Sequence, residues 1–150
     1  FYIDIPDEKE LEEKIKSTKK EKNSDTLTEL PVILITEDDP LSLSLLKVTL
    51  KKASLNFIIA TNGKDAVDLC HRHAEISLVI MDIRMPVMDG LEATRRIKEF
   101  RKNLPVIGVT AYAMTGDKEK AIAAGFDDYI TKPINPEILI SVIRKLLSLK

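Results

Sequence analysis

Val32-Ile33-Leu34-Ile35-Thr36-Glu37-Asp38-Asp39-Pro40 is the stretch that decides the fold. Its apolar run suits a strand buried on both faces, as in a parallel sheet covered by helices. Three acids and a proline end the run, and Pro40 to Lys52 reads as a helix with Leu43, Leu46 and Leu50 on one face. The alternation then repeats. Phe57 to Ala60 reads as a strand, Gly63 to His73 as a helix with Ala66, Val67 and Cys70 inward, and Leu78 to Met81 as a strand. Gly90 to Phe100 is a predicted helix, Val106 to Thr110 a strand, Gly116 to Ala124 a helix and Asp128 to Thr131 a short strand. Asn135 to Leu149 closes the series as a helix whose stripe includes Leu139, Val142, Ile143 and Leu146. Strands alternating with helices imply βαβ units with right-handed crossovers, hence an α/β domain with a doubly wound parallel sheet.

The bulk numbers exclude several classes. Among 150 residues, 44% are hydrophobic, enough for a packed core, and net charge is -1. That balance gives no broad attraction to nucleic acid or anionic membrane. No apolar run reaches the roughly 18 residues that span a bilayer, and Phe1 to Pro6 is too short for a signal peptide. Cys70 is the single cysteine and cannot form an internal disulfide, which fits a reducing compartment. It reads as a buried helix residue, not a reactive thiol. Residues 1 to 30 carry six Lys against nine Asp and Glu, and Asp7 to Lys22 offers only Leu11 and Ile15 as apolar anchors. We expect 7–30 to be a charged linker and 31–150 the globular domain.

In doubly wound sheets ligands bind beyond the carboxyl ends of the strands. Those ends carry Glu37-Asp38-Asp39, Asp82, Thr110-Ala111 and Lys132-Pro133. Glu37, Asp38 and Asp82 would bring three carboxylates together, and each unpaired contact near 4 Å costs about 4 kcal/mol at an effective dielectric of 20. A hard divalent cation answers that repulsion, and Mg²⁺ prefers a few carboxylate oxygens completed by water and phosphate oxygens. Lys132 supplies a point charge for a phosphoryl oxygen and Thr110 a hydroxyl. A carboxylate can attack phosphorus to form an acyl phosphate, and phosphoryl transfer depends mainly on positioning and charge neutralisation. A lone Asp after a strand is most often a helix N-cap, and Asp39 before Pro40 stays open between cap and ligand. The functional reading rests on four strand ends carrying matching chemistry.

The segments Ile33 to Asp39, Met81 to Gly90, Val109-Thr110-Ala111 and Asp128 to Pro133, in this order and spacing, resemble the receiver domain of two-component response regulators over residues 31 to 150. The resemblance implies a flavodoxin-like (βα)5 fold with strand order 2-1-3-4-5. It implies Asp82 as phosphoacceptor, Lys132 and Thr110 beside it, and Mg²⁺ held by Glu37, Asp38, Asp82 and the backbone carbonyl of Arg84. Asp38 would be the likelier direct ligand of the acidic pair. Thr110 and Tyr129 match the switch pair, and the Lys132–Pro133 bond is expected to be cis. The phosphodonor would be a histidine kinase or histidine phosphotransfer domain, the phosphorylated form would switch conformation, and slow hydrolysis would reset it. A dimer through helix 4, strand 5 and helix 5 is a further expectation, as is a cytoplasmic location, tethered where a membrane sensor kinase carries the domain. Arg84 and Tyr112 flank the site, and their bulk is expected to slow hydrolysis.

Phe1-Tyr2-Ile3-Asp4-Ile5-Pro6 resembles the last strand of a sensor kinase ATP-binding domain, so 1–6 followed by a linker and a receiver is the layout of a hybrid kinase. The Phe start fits a piece of a longer protein. Whether the chain itself counts as an enzyme stays open. The alternative is a receiver-like interaction module without phosphotransfer, which predicts loss of Asp82, Lys132 or the acidic pair. A nucleotide- or flavin-binding protein on the same fold lacks support, since neither a Gly-x-Gly-x-x-Gly nor a Gly-Lys-Ser/Thr loop follows the first strand. His71 and His73 do not share a helix face and read as surface residues, Met85 and Met88 as packing residues. Thr36 is expected to bond the backbone through its hydroxyl.

Overall fold

A computed structural model describes residues 31–111 and 117–148. The elements run β1 (Val32–Thr36), α1 (Pro40–Lys52), β2 (Asn56–Ala60), α2 (Gly63–Arg72), β3 (Ile76–Asp82), α3 (Gly90–Phe100), β4 (Val106–Thr110), α4 (Asp117–Ala124), β5 (Asp128–Thr131) and α5 (Pro136–Leu147). The strands form one sheet in the order β2-β1-β3-β4-β5, and every pairing is parallel. The expected alternation, topology and strand order hold. Helix ends differ by a residue or two, as at α2, which stops at Arg72 instead of His73. The expectations on Phe1 to Pro6, the charged linker, Gly116, Tyr112 and Leu149 lie outside the described residues.

Alternation along each strand divides the core. Ile33 and Ile35 join Leu78, Ile80, Ile107 and Val109 under Leu46 and Leu50 of α1 and Leu139 and Ile143 of α5. Leu34, Val79 and Met81 point the other way, under Ala66 and Cys70 of α2, Ala93 and Ile97 of α3, and Ala121 and Ala124 of α4. Small residues let α2 to α4 lie close to the sheet. Gly108 of β4 serves the same end, because a Cβ there would lie 2.9 Å from the Phe126 ring. Met85 and Met88 pack against this second cluster, as expected. Burial pushes the Cys70 thiol up to about 12, which leaves it protonated and inert.

Local signals explain the helix starts. Asp39, Asn62, Asp89 and Asn135 each accept a bond from a backbone N–H of the first turn, and Pro40 and Pro136 occupy first-turn positions. Asp39 is thereby placed as a cap, its Oδ2 taking the Ser42 N–H at 2.9 Å. The bonds from Ser42 hold its carboxyl below the ordinary value.

Two expectations fail for physical reasons. His73 is buried, not on the surface, because the helix has ended and the chain turns inward, its carbonyl accepting from Arg101 Nη1 at 3.4 Å. His71 does stay outside, stacked on Phe100 with ring centroids 3.5 Å apart. Thr36 does not bond the backbone: it is fully buried, and its Oγ1 has no hydrogen-bond partner. Central β1 has neighbours on both sides, so the ladder uses the nearby carbonyls, and the hydroxyl faces the apolar side with Leu34. Thr36→Val should therefore raise stability by about 1 kcal/mol, read as a higher denaturation midpoint in urea at unchanged slope. A drop in stability would show that the hydroxyl is satisfied in solution.

Candidate functional site

The strand register lines up the predicted residues. Thr36 lies level with Met81, Asp82 with Val109, and Thr110 with Thr131. Glu37, Asp82, Thr110 and Lys132 thus leave the sheet along one rim. The ladder continues past the strand ends and fixes each backbone: Glu37 N–H donates to Ala60 O at 3.0 Å, Ile83 N–H to Val109 O at 3.0 Å, and Lys132 N–H to Thr110 O at 2.7 Å.

The side chains converge as well. One carboxylate oxygen from each of Glu37, Asp38 and Asp82 lies within 4.8 Å of the others. Glu37 and Asp82 are buried at 1% and 5% exposure, whereas Asp38 is open to solvent. Lys132 Nζ stands 3.1 Å from Glu37 Oε1 and 3.5 Å from Asp82 Oδ2. The ion pair with buried Glu37 is thus the shorter of the two. The other oxygen of Glu37 accepts the Asp39 N–H at 3.1 Å, and Asp82 Oδ1 accepts the Arg84 N–H at 3.3 Å. Thr110 is buried at the rim, Tyr129 half-buried on β5 and Arg84 exposed. The Lys132–Pro133 peptide is cis.

These contacts set the charges. Burial pushes Glu37 up to about 7, the neighbouring Asp82 carboxylate adds to it, and the Asp39 N–H and Lys132 oppose it. Burial tends to lower Lys132, but Glu37 and then Asp82 outweigh it and hold the ammonium above its ordinary value. Three converging carboxylates, two of them buried, suit a hard cation, so the residues present fit Mg²⁺.

Sequence reasoning missed the residues that shape the loop after Asp82. A Cβ on Gly90 would lie 2.1 Å from the Asp82 carbonyl oxygen, and one on Gly63 would lie 2.4 Å from the Met88 carbonyl oxygen. A glycine opening a helix, where glycine is a poor helix former, was the available signal for both.

The raised Glu37 predicts a pH dependence. The folded state keeps this proton between about 4.5 and about 7, where the unfolded chain releases it. Stability is thus present below that window and lost as pH rises through it. Without metal, wild type should lose thermal stability relative to Glu37→Gln as pH climbs from about 4.5 to about 7. Saturating Mg²⁺, which favours the ionised carboxylate, should reverse that loss. Parallel melting curves for the two proteins would remove Glu37 as the source.

The chain is similar to known proteins in sequence and fold. The sequence pattern of the response regulator receiver domain matches residues 33–144. Hybrid signal transduction histidine kinase I of Dictyostelium discoideum is 44% identical over 119 residues, covering 74% of this chain and 7% of that kinase. The chain therefore spans only a small part of that relative. The receiver domain of sensor histidine kinase PA1611 from Pseudomonas aeruginosa, whose crystal structure has a magnesium ion coordinated in the active site cleft, superposes with a TM-score of 0.74 at 30% identity, over 80% of this chain and 99% of that one. The Saccharomyces cerevisiae receiver domain of Ssk1, crystallised with the histidine phosphotransfer protein Ypd1, belongs to a structure that matches with a TM-score of 0.74 at 28% identity, over 83% and 93%. With the rim geometry and these matches together, the chain belongs to the response regulator receiver family, the phosphoacceptor domains of two-component signalling.

Proposed function

We propose that Asp82 is the phosphoacceptor and that it takes a phosphoryl group from a phosphohistidine on a partner protein. The observation that carries this reading is the place of Lys132 Nζ, between Glu37 Oε1 at 3.1 Å and Asp82 Oδ2 at 3.5 Å. Asp82 needs no general base, because a carboxylate is nucleophilic when ionised. Its oxygen forms the new bond to phosphorus as the phosphorus–nitrogen bond of the donor breaks, and the electron pair stays on the imidazole. Lys132 is free to exchange its carboxylate contacts for a phosphoryl oxygen. Mg²⁺, held by Glu37, Asp38, Asp82 and the Arg84 carbonyl, would supply charge neutralisation on the phosphoryl oxygens.

The acyl phosphate adds roughly 1.5 to 2 negative charges. Thr110 and Lys132 are drawn to it, and Tyr129 on β5 follows as the second half of the switch, so a minor conformation becomes the major one. Ile122 on α4 is 63% exposed and Ile138 on α5 is 53% exposed, which supports the expected partner face around α4, β5 and α5. The donor would be a histidine kinase or histidine phosphotransfer domain. Residues 1–6 would be the end of a kinase ATP-binding domain and 7–30 the linker, placing this receiver in a hybrid kinase with a cytoplasmic location. No helix among the described residues is long and apolar enough to cross a membrane.

Incubation with Mg²⁺ and a small phosphodonor should add one phosphoryl group by intact mass, and Asp82→Asn should abolish it. Persistence of the modification in that variant would move the acceptor elsewhere. Arg84 stands exposed next to the acceptor loop, where its bulk shields the acyl phosphate from water. Arg84→Ala should shorten the phosphoryl half-life severalfold, and an unchanged decay rate would sink the shielding role.

A further inference from the structure

Three non-glycine residues among those described have positive φ: Ser54 at 59°, Val87 at 69° and Ser148 at 56°. Ser54 follows Ala53, the C-cap of α1, and Ser148 is the C-cap of α5. A left-handed residue there closes a helix in the ordinary way. Val87 has no such setting. It is β-branched, the type least suited to positive φ, and 79% exposed, so packing of its side chain does not compensate.

The backbone on either side holds it. Met88 N–H donates to Pro86 O at 2.7 Å, closing a three-residue turn with Val87 at its centre. Turns of this kind with positive central φ are rare and strained. The Met88 carbonyl accepts the first N–H of α2, from Gly63, at 3.0 Å. At the base of the loop Gly90 N–H donates to Ile83 O at 2.8 Å, so the chain that leaves Asp82 must come back to it. Between departure and return lies Arg84, whose N–H reaches Asp82 Oδ1 at 3.3 Å. Strain that persists at such a rim points to use.

We propose that the turn at Val87 is a positioning element of the cation site: by folding the loop back within a few residues it holds the Arg84 peptide against Asp82, and so sets the affinity for Mg²⁺. Val87 touches no reacting group and acts through the backbone. The proposal rests on the reading of Glu37, Asp38, Asp82 and the Arg84 carbonyl as the Mg²⁺ ligands.

The test is titration of the full chain with MgCl₂ by calorimetry, in wild type, Val87→Pro and Val87→Asn, with circular dichroism to confirm folding. Proline fixes φ near -65° and cannot form the turn, whereas asparagine tolerates the left-handed region. Val87→Pro should weaken Mg²⁺ by about tenfold to a hundredfold, the range for residues that orient a ligand. Val87→Asn should keep wild-type affinity and melt higher without metal. A folded Val87→Pro that binds Mg²⁺ as wild type does would overturn the proposal, as would equal losses in both variants. If Val87→Pro does not fold, Gly63→Ala decides, since its Cβ drives the Met88 carbonyl from its place; the same loss is expected, and unchanged affinity overturns the proposal. A wild type that fails to bind Mg²⁺ would remove the metal reading itself, a result separate from any difference among variants.

Discussion

Parallel strands deliver their carboxyl ends to one rim, and in this chain that rim receives like charges. The repulsion among Glu37, Asp38 and Asp82 is the constraint to which the rest of the domain answers. It is answered from within by a cation, Lys132, which is brought by the edge strand β5, two strands from Asp82. It also requires that the carboxylates cannot relax apart, and the backbone bonds beyond the strand ends see to that. A flexible rim would let Glu37 swing into water and away from Lys132 and Asp82.

The two faces of the sheet contribute differently. Branched and bulky residues of α1 and α5 interlock with Ile33, Ile35 and Ile80 on one face. On the other face α2 to α4 present several small residues, Ala66, Cys70, Ala93, Ala121 and Ala124, beside Ile97. Close approach there brings the first turns of α2 and α3 within hydrogen-bonding reach of the loop that follows Asp82. Packing on this face is thus part of the site, because a helix held one side chain further away could not contact that loop.

Much of this was legible in the sequence, and for identifiable reasons. Val32 to Thr36 is so uniformly apolar that a strand covered on both sides was the direct reading, and repetition of the pattern specified the sheet. Asp82 and Lys132 were legible because strand ends in such a sheet have one destination. Asp39 was ambiguous, since cap and ligand ask for the same residue type, and only the Ser42 contact decides. His73 was misplaced because one residue of helix length separates a solvent face from the interior. The conformation of Val87 could not be read at all: a β-branched residue argues against positive φ, and the cause lies in loop closure between residues distant in sequence. Thr36 was misjudged because its lack of a partner depends on neighbours in β2 and β3.

Gly90 joins these threads. Its α-hydrogen is all that separates the first turn of α3 from the carbonyl of Asp82. Asp82 and that helix are consequently placed as one piece. A chimaera that exchanges α3 between receivers keeps the Asp82 backbone in place only if the crossover carries this glycine with it. Every other amino acid adds at least one carbon where the fold leaves no volume, so a substitution at this position forces the backbone of α3 or of Asp82 to move.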